Sequence, residues 1–201
     1  MRIKKLLPLV LVAVLLASGV WVFAQEGEEM SPEEKEMMEL MMKYGTPGEG
    51  HKLLEPFIGE WSVITRWWAS PDAPVDESEA TSSASWILDG RYVMEKFNGM
   101  MGEIPFEGMS IIGYDNYAKK YNSLWIDSYS TMFFLQTGIA NDEGTLITFE
   151  GTYDDFYTGQ KDKKSKTIIR VFDEDTRVME MYDLTADGKE YMSMEISYTR
   201  N

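Results

Sequence analysis

From Gly59 to Arg200 the sequence alternates between short amphipathic stretches and clusters of Gly, Asn and Asp, with no helix-length segment between them. That rhythm restricts the chain to a sandwich or a barrel of short strands. Strands are predicted near 60–69, 79–88, 91–98, 107–114, 120–128, 132–140, 145–153, 164–172, 177–184 and 189–199. Turns are supplied by Asp89-Gly90, Asp115-Asn116, Asn141-Asp142-Glu143-Gly144, Thr158-Gly159 and Asp187-Gly188. Short connections make consecutive strands pair antiparallel as a meander. The expected fold class is therefore all-β: an antiparallel up-and-down β-barrel of about ten strands with short N-terminal helices. Alternation is cleanest where Met192, Met194, Ile196 and Tyr198 interleave with Ser193, Glu195, Ser197 and Thr199. At Trp67-Trp68 and from Val178 to Tyr182 bulky residues occupy both parities, and the inward face cannot be assigned from the residues alone.

The segment before this series has a different grammar. Arg2, Lys4 and Lys5 precede an apolar run from Leu6, and Val22-Phe23-Ala24 offers a small-residue cleavage site before Gln25. This predicts a signal peptide over 1–24 and an exported, periplasmic or extracellular protein; an uncleaved membrane anchor is the rival reading. An acidic spacer, a Met-rich helix and a linker fill 25–50, and the barrel domain takes 51–201. Ser31-Pro32-Glu33-Glu34 forms a capping box with proline where its missing N–H costs nothing, so a helix should run from there to Tyr44 and stop at Gly45. Its Met37, Met38, Leu40, Met41 and Met42 form a broad apolar face that should pack on something, across the barrel or its opening. A second short helix, interrupted near Pro56, carries Leu53, Leu54, Phe57 and Ile58 and could plug one barrel end.

Composition removes several function classes. A formal net charge of −15 repels phosphate backbones and anionic lipid, so no nucleic-acid partner is expected, and no membrane partner beyond an uncleaved anchor. There is no cysteine, and His51 is the single histidine, so tetrahedral zinc of the usual kinds, disulfides and multi-histidine sites are ruled out. No Gly-x-Ser-x-Gly elbow is present. No cofactor is expected. Six Trp, 11 Tyr, 9 Phe and 15 Met supply a large and adaptable core.

Several short pieces, taken as a set, resemble a bacterial family catalogued as domain of unknown function number fifteen seventy-nine. They are Pro47-Gly48-x-x-His51, Gly59-x-Trp61, Trp86-Ile87-Leu88-x-Gly90-Arg91, Pro105-Phe106-x-Gly108, Gly113-Tyr114-Asp115, Trp125-Ile126-Asp127 and Met194-Glu195-x-x-Tyr198. The family has no established activity. It is similar to lipocalin-like barrels, which implies an up-and-down barrel able to hold a small ligand. Haem-binding relatives of that broad class use a histidine in a late strand, and no histidine follows His51 here.

The candidate ligand-binding residues are Trp61, Arg91, Trp125, Asp127, Arg170, Tyr182, Glu195 and His51. Trp125 and Asp127 share a face by period two, so one could stack on a ligand while the other orients it. An inward Arg91 or Arg170 would need a carboxylate such as Glu180 or Glu195, or an acidic ligand. His51 is read first as a cap of the short helix, and Trp61 as the base of the barrel. Met clusters could hold copper(I), but at helical spacing they read as packing, and Asp154-Asp155 reads as a turn rather than a calcium loop. Three functions follow: a non-catalytic carrier of a small apolar or amphipathic molecule, an isomerase or hydrolase using barrel carboxylates such as Asp127 with Glu195, and an interaction module acting through the Met-rich helix. Oligomeric state is not legible.

Overall fold

The computed structural model describes residues 30–185 and 187–201. The expected signal peptide and most of the acidic spacer lie outside the described residues. The elements are α1 (Pro32–Gly45), α2 (Glu49–Lys52), a 3-10 turn (Glu55–Phe57) and ten strands: β1 (Gly59–Trp67), β2 (Asp76–Ile87), β3 (Tyr92–Met101), β4 (Ile104–Asp115), β5 (Lys120–Asp127), β6 (Phe134–Ala140), β7 (Leu146–Tyr153), β8 (Lys163–Val171), β9 (Thr176–Leu184) and β10 (Glu190–Arg200). Each strand pairs antiparallel with its sequence neighbours, and β1 pairs with both β2 and β10. The sheet is thereby a closed barrel without edges, the all-β up-and-down architecture that the alternation predicts.

Every predicted strand is present, with shifted ends. The β3–β4 hairpin reaches past the predicted start at 107 because Pro105 is tolerated there: it pairs with Met100, while β5 pairs with β4 only as far as Gly108 opposite Asp127. No strand lies on the other side of Pro105 to need its missing donor. Gly102, at φ 60°, turns the hairpin.

The predicted capping box of α1 forms. Ser31 Oγ accepts from the Glu34 N–H at 3.2 Å, and a Glu34 carboxylate oxygen accepts from the Ser31 N–H at 2.8 Å. The apolar face of α1 behaves differently from expectation: Met37, Met38, Leu40, Met41 and Met42 are all exposed, and the helix buries no residue. The Asn116 amide donates to the Tyr44 carbonyl at 3.1 Å and the Thr46 carbonyl at 2.8 Å, which fixes the chain just before α2.

The plug predicted from Leu54 and Phe57 exists. Both are fully buried and pack with Val93, Ile112, Tyr121, Ile147, Phe149 and Ile169 from five strands. Burying each such side chain contributes roughly 1.5–3 kcal/mol. Trp61 seals this end and donates through Nε1 to the Phe57 carbonyl at 3.0 Å. Gly59, at φ 130°, leaves room for Arg200, whose guanidinium donates to the Ile58 carbonyl at 2.5 Å and to the Pro56 carbonyl at 3.3 Å. The opposite end, ringed by the loops after β1, β3, β5, β7 and β9, is the mouth.

Candidate functional site

Strand alternation, anchored on the buried residues, assigns the lumen. Trp61 and Val63 of β1, Ser82 and Ala84 of β2, Val93, Glu95 and Phe97 of β3, Tyr121 of β5, Gln136 of β6 and Arg177 of β9 are buried and face inward. The same parity turns Ser123, Met179, Met181, Met194 and Ile196 inward. These five keep partial solvent exposure, as do Trp86, Tyr114, Ala140 and Val171 of the same inward parity at the rim of the plug end, whereas Val93, Ile112, Tyr121, Phe149 and Ile169 around Leu54 and Phe57 are fully buried. The side chains of the five point away from the outer surface, so the exposure is to the inside. Met179 and Ile196 also pack against the buried core, and Ser123, Met181 and Met194 lie nearer the mouth.

Beneath these residues the interior holds a buried ion pair. Arg177 and Glu95 sit on β9 and β3, on either side of β1, and meet across the lumen at 2.7 Å with side chains 1% and 5% exposed. Ser82 Oγ donates to the same carboxylate oxygen. The Arg177 guanidinium lies 3.8 Å from the Tyr198 ring centre, 4.7 Å from Phe57 and 5.0 Å from Trp61. Three aromatic faces therefore replace water around a charge that is costly to bury. Its Nε and Nη1 make no hydrogen bond. Burial pushes the Tyr198 hydroxyl above the ordinary tyrosine range, with Glu95 adding to the effect.

Above the ion pair runs a belt of uncharged polar groups. Gln136 donates to Ser165 Oγ at 3.2 Å, and Thr65 Oγ1 and Thr167 Oγ1 have no partner. Both oxygens are shielded from solvent, so each is a buried polar position left without a hydrogen bond. Phe97, Phe106 and Trp125 follow on one wall, Phe106 stacking on Trp125 at 6.3 Å with 19° between planes. On the other wall Lys163 donates to Asp183 at 2.7 Å and to Asp155 at 3.0 Å. Burial opposes the lysine charge, but hydrogen bonds to Asp183, Asp155 and Tyr153 hold its ammonium above the usual lysine range. Beside the mouth, the segment Ser128 to Met132 with Asp154 and Phe156 encloses a groove of about 540 Å³.

The sequence candidates separate into three places. Trp61, Trp125 and Asp127 face the barrel interior. Trp61 belongs to the sealed end, while Trp125 Nε1 donates to Asp127 at 2.8 Å and the other oxygen of Asp127 accepts from the Tyr129 and Ser130 N–H groups at 2.9 and 3.0 Å. The carboxylate thus ties the β5 end to its turn. Arg170, Tyr182 and Glu195 lie on the outer face: Arg170 pairs with Glu180 at 3.1 Å, Tyr182 donates to Glu180 at 2.9 Å, and Glu195 accepts from Arg66 at 2.7 Å. Asp127 and Glu195 sit on opposite sides of the sheet and do not form an acid–base pair. His51 and Arg91 share an external cleft of about 280 Å³ at the closed end, with Tyr44, Tyr92 and Tyr114. His51 Nδ1 accepts from the Gly48 N–H at 3.1 Å, and burial lowers its pKa below the ordinary 6.5.

Glu95, Arg177 and Lys163 were not singled out by sequence. The signal was present in Val93-x-Glu95-x-Phe97 and Arg177-x-Met179-x-Met181, where a charge occupies the apolar parity of a strand.

Residues 46–200 match the family described as protein of unknown function (DUF1579). The chain belongs to that family. No curated protein matches this DUF1579 member. Among solved structures it is similar to Rv2717c from M. tuberculosis, with a TM-score of 0.53, 9% identity, and cover of 78% of this chain and 99% of that one; at such identity the likeness concerns fold alone. A redesigned β-barrel is more distant, with a TM-score of 0.38 and 12% identity over 75% of this chain and 94% of that one.

Proposed function

We propose that this DUF1579 protein is a non-catalytic carrier that binds a small amphipathic molecule in the outer part of its barrel. The observation that carries the reading is the partial exposure of inward-facing Ser123, Met179, Met181, Met194 and Ile196 above a fully packed plug. Met and aromatic walls bind apolar surface of varied shape. The Thr65 and Thr167 hydroxyls, buried and unpartnered, would gain a hydrogen bond from a polar group of a guest that reached mid-depth. The N-terminal pattern of Arg2, Lys4 and Lys5 before an apolar run supports an exported carrier, which fractionation of the host would test.

Native mass spectrometry of the protein purified from its own host tests the reading. A stoichiometric small-molecule adduct should be present on the wild type and absent from Thr167→Phe, which fills the lumen at mid-depth. Bare polypeptide in both cases overturns the carrier.

A second reading is favoured by one observation, the exposed apolar face of α1. An amphipathic helix of this kind can dock into a groove on another chain. Deleting residues 31–43 would abolish a partner complex and leave the adduct in place.

A further inference from the structure

Resting on the luminal reading above, we propose that the barrel selects ligands without negative charge, uncharged or cationic amphiphiles, and excludes carboxylates. Each cation that faces inward among the described residues is already committed. Arg177 is bound to Glu95, enclosed by Phe57, Trp61 and Tyr198, and 1% exposed, so an anion would have to displace an aromatic ring to reach its remaining N–H groups. Lys163 at the mouth is held between Asp155 and Asp183. Arg200 lies beneath Trp61, bound to backbone carbonyls of the plug and to Asp175 at 3.2 Å. The arginine that sequence offered as a carboxylate clamp, Arg170, points outward.

The fixed charge of the interior has the opposite sign. Four carboxylates, Glu95, Asp127, Asp155 and Asp183, outnumber the three cations Arg177, Lys163 and Arg200, and Asp155 is held below the usual carboxylate range: burial opposes this, but Lys163 and the N–H groups of Thr158 and Tyr157 prevail. A carboxylate entering the lumen would lose water beside a surplus of like charge with no free cation to receive it. An uncharged hydroxyl or amide meets no such repulsion, and rotation of the buried, unpartnered Thr65 or Thr167 hydroxyl would offer it a group that both donates and accepts. A cationic head would sit near Asp155, Asp183 and the aromatic wall of Trp125 and Phe106.

The test compares decanol, decanoate and decyltrimethylammonium by calorimetry on the full chain at neutral pH, each below its aggregation concentration. Thr167→Phe and Ser123→Leu serve as lumen-filled controls, with melting curves to confirm that at least one of them folds. Binding that a folded control loses counts as luminal. Decanol and the ammonium should show it, with decanoate at least about tenfold weaker. Asp183→Asn should strengthen decanoate relative to decanol. Luminal binding of decanoate as tight as that of decanol overturns the charge selection and leaves the carrier standing. No luminal binding of any probe overturns the carrier reading, and the selection with it.

Discussion

Glu95 and Arg177 stabilise the barrel only as a pair, because each alone would be a buried charge without a partner. Removing one partner of such a pair costs about 3–5 kcal/mol, whereas replacing both by apolar groups can be near neutral. Arg177→Met should therefore lower stability by roughly that amount, and the double variant Glu95→Leu with Arg177→Met should recover most of it, as read by urea denaturation. A double variant no more stable than the single one would show that the aromatic enclosure of the guanidinium, rather than the ion pair, dominates. His51 makes a separate prediction. Its folded pKa is lowered by burial, so the neutral form is favoured in the folded state, and its contribution is fully present above the unfolded value near 6.5 and lost as the pH falls below it. Stability should decline from pH 7 toward pH 5 with a slope of at most ~1.4 kcal/mol per pH unit. Since this is the single histidine, His51→Gln should flatten the profile. An unchanged slope in that variant would place the titration elsewhere.

At the scale of elements, aromatic rings occupy the space beside glycines of the neighbouring strand. A Cβ at Gly108 of β4 would overlap the Trp125 ring of β5, and one at Gly113 would overlap Tyr92 of β3. Gly108→Ala should displace the Trp125 ring, destabilise by about 1–3 kcal/mol and shift tryptophan emission. Retained stability with unchanged emission would mean that the ring moves freely. Much at this scale was legible in advance. The ten strands, the turn at Gly102's neighbours excepted, and the capping box of α1 follow from spacing among residues close in the chain. The hairpin past Pro105 was not legible, because its tolerance depends on where β5 stops. Nor was the inward parity of Met179 and Met181, where Val178, Glu180 and Tyr182 are bulky on the other face.

For the whole molecule, closure pairs all ten strands with one another and needs no partner from α1. No residue of the helix is fully buried, and its contacts through Tyr44, with Tyr117 and with the Asn116 amide, lie beyond residue 43. Deleting residues 31–43 should leave unfolding free energy within about 0.5 kcal/mol of the full chain, as for other exposed changes. A large loss would show that the exposed Met face contributes to folding after all.

The sequence by itself determined the number of strands, their antiparallel order, the plug and the capped helix. These depend on period-two alternation, turn residues and caps, which act over a few positions of chain. Only the tertiary structure decided which charges meet. Arg170 pairs with Glu180 and Glu195 with Arg66 on the outer surface, while Arg177 crosses the lumen to Glu95, 82 positions away in the chain. Alternation says that two residues share a face, and barrel closure says whether that face is water or core. The charge of the lumen, and hence the chemistry of what it can hold, is a product of closure.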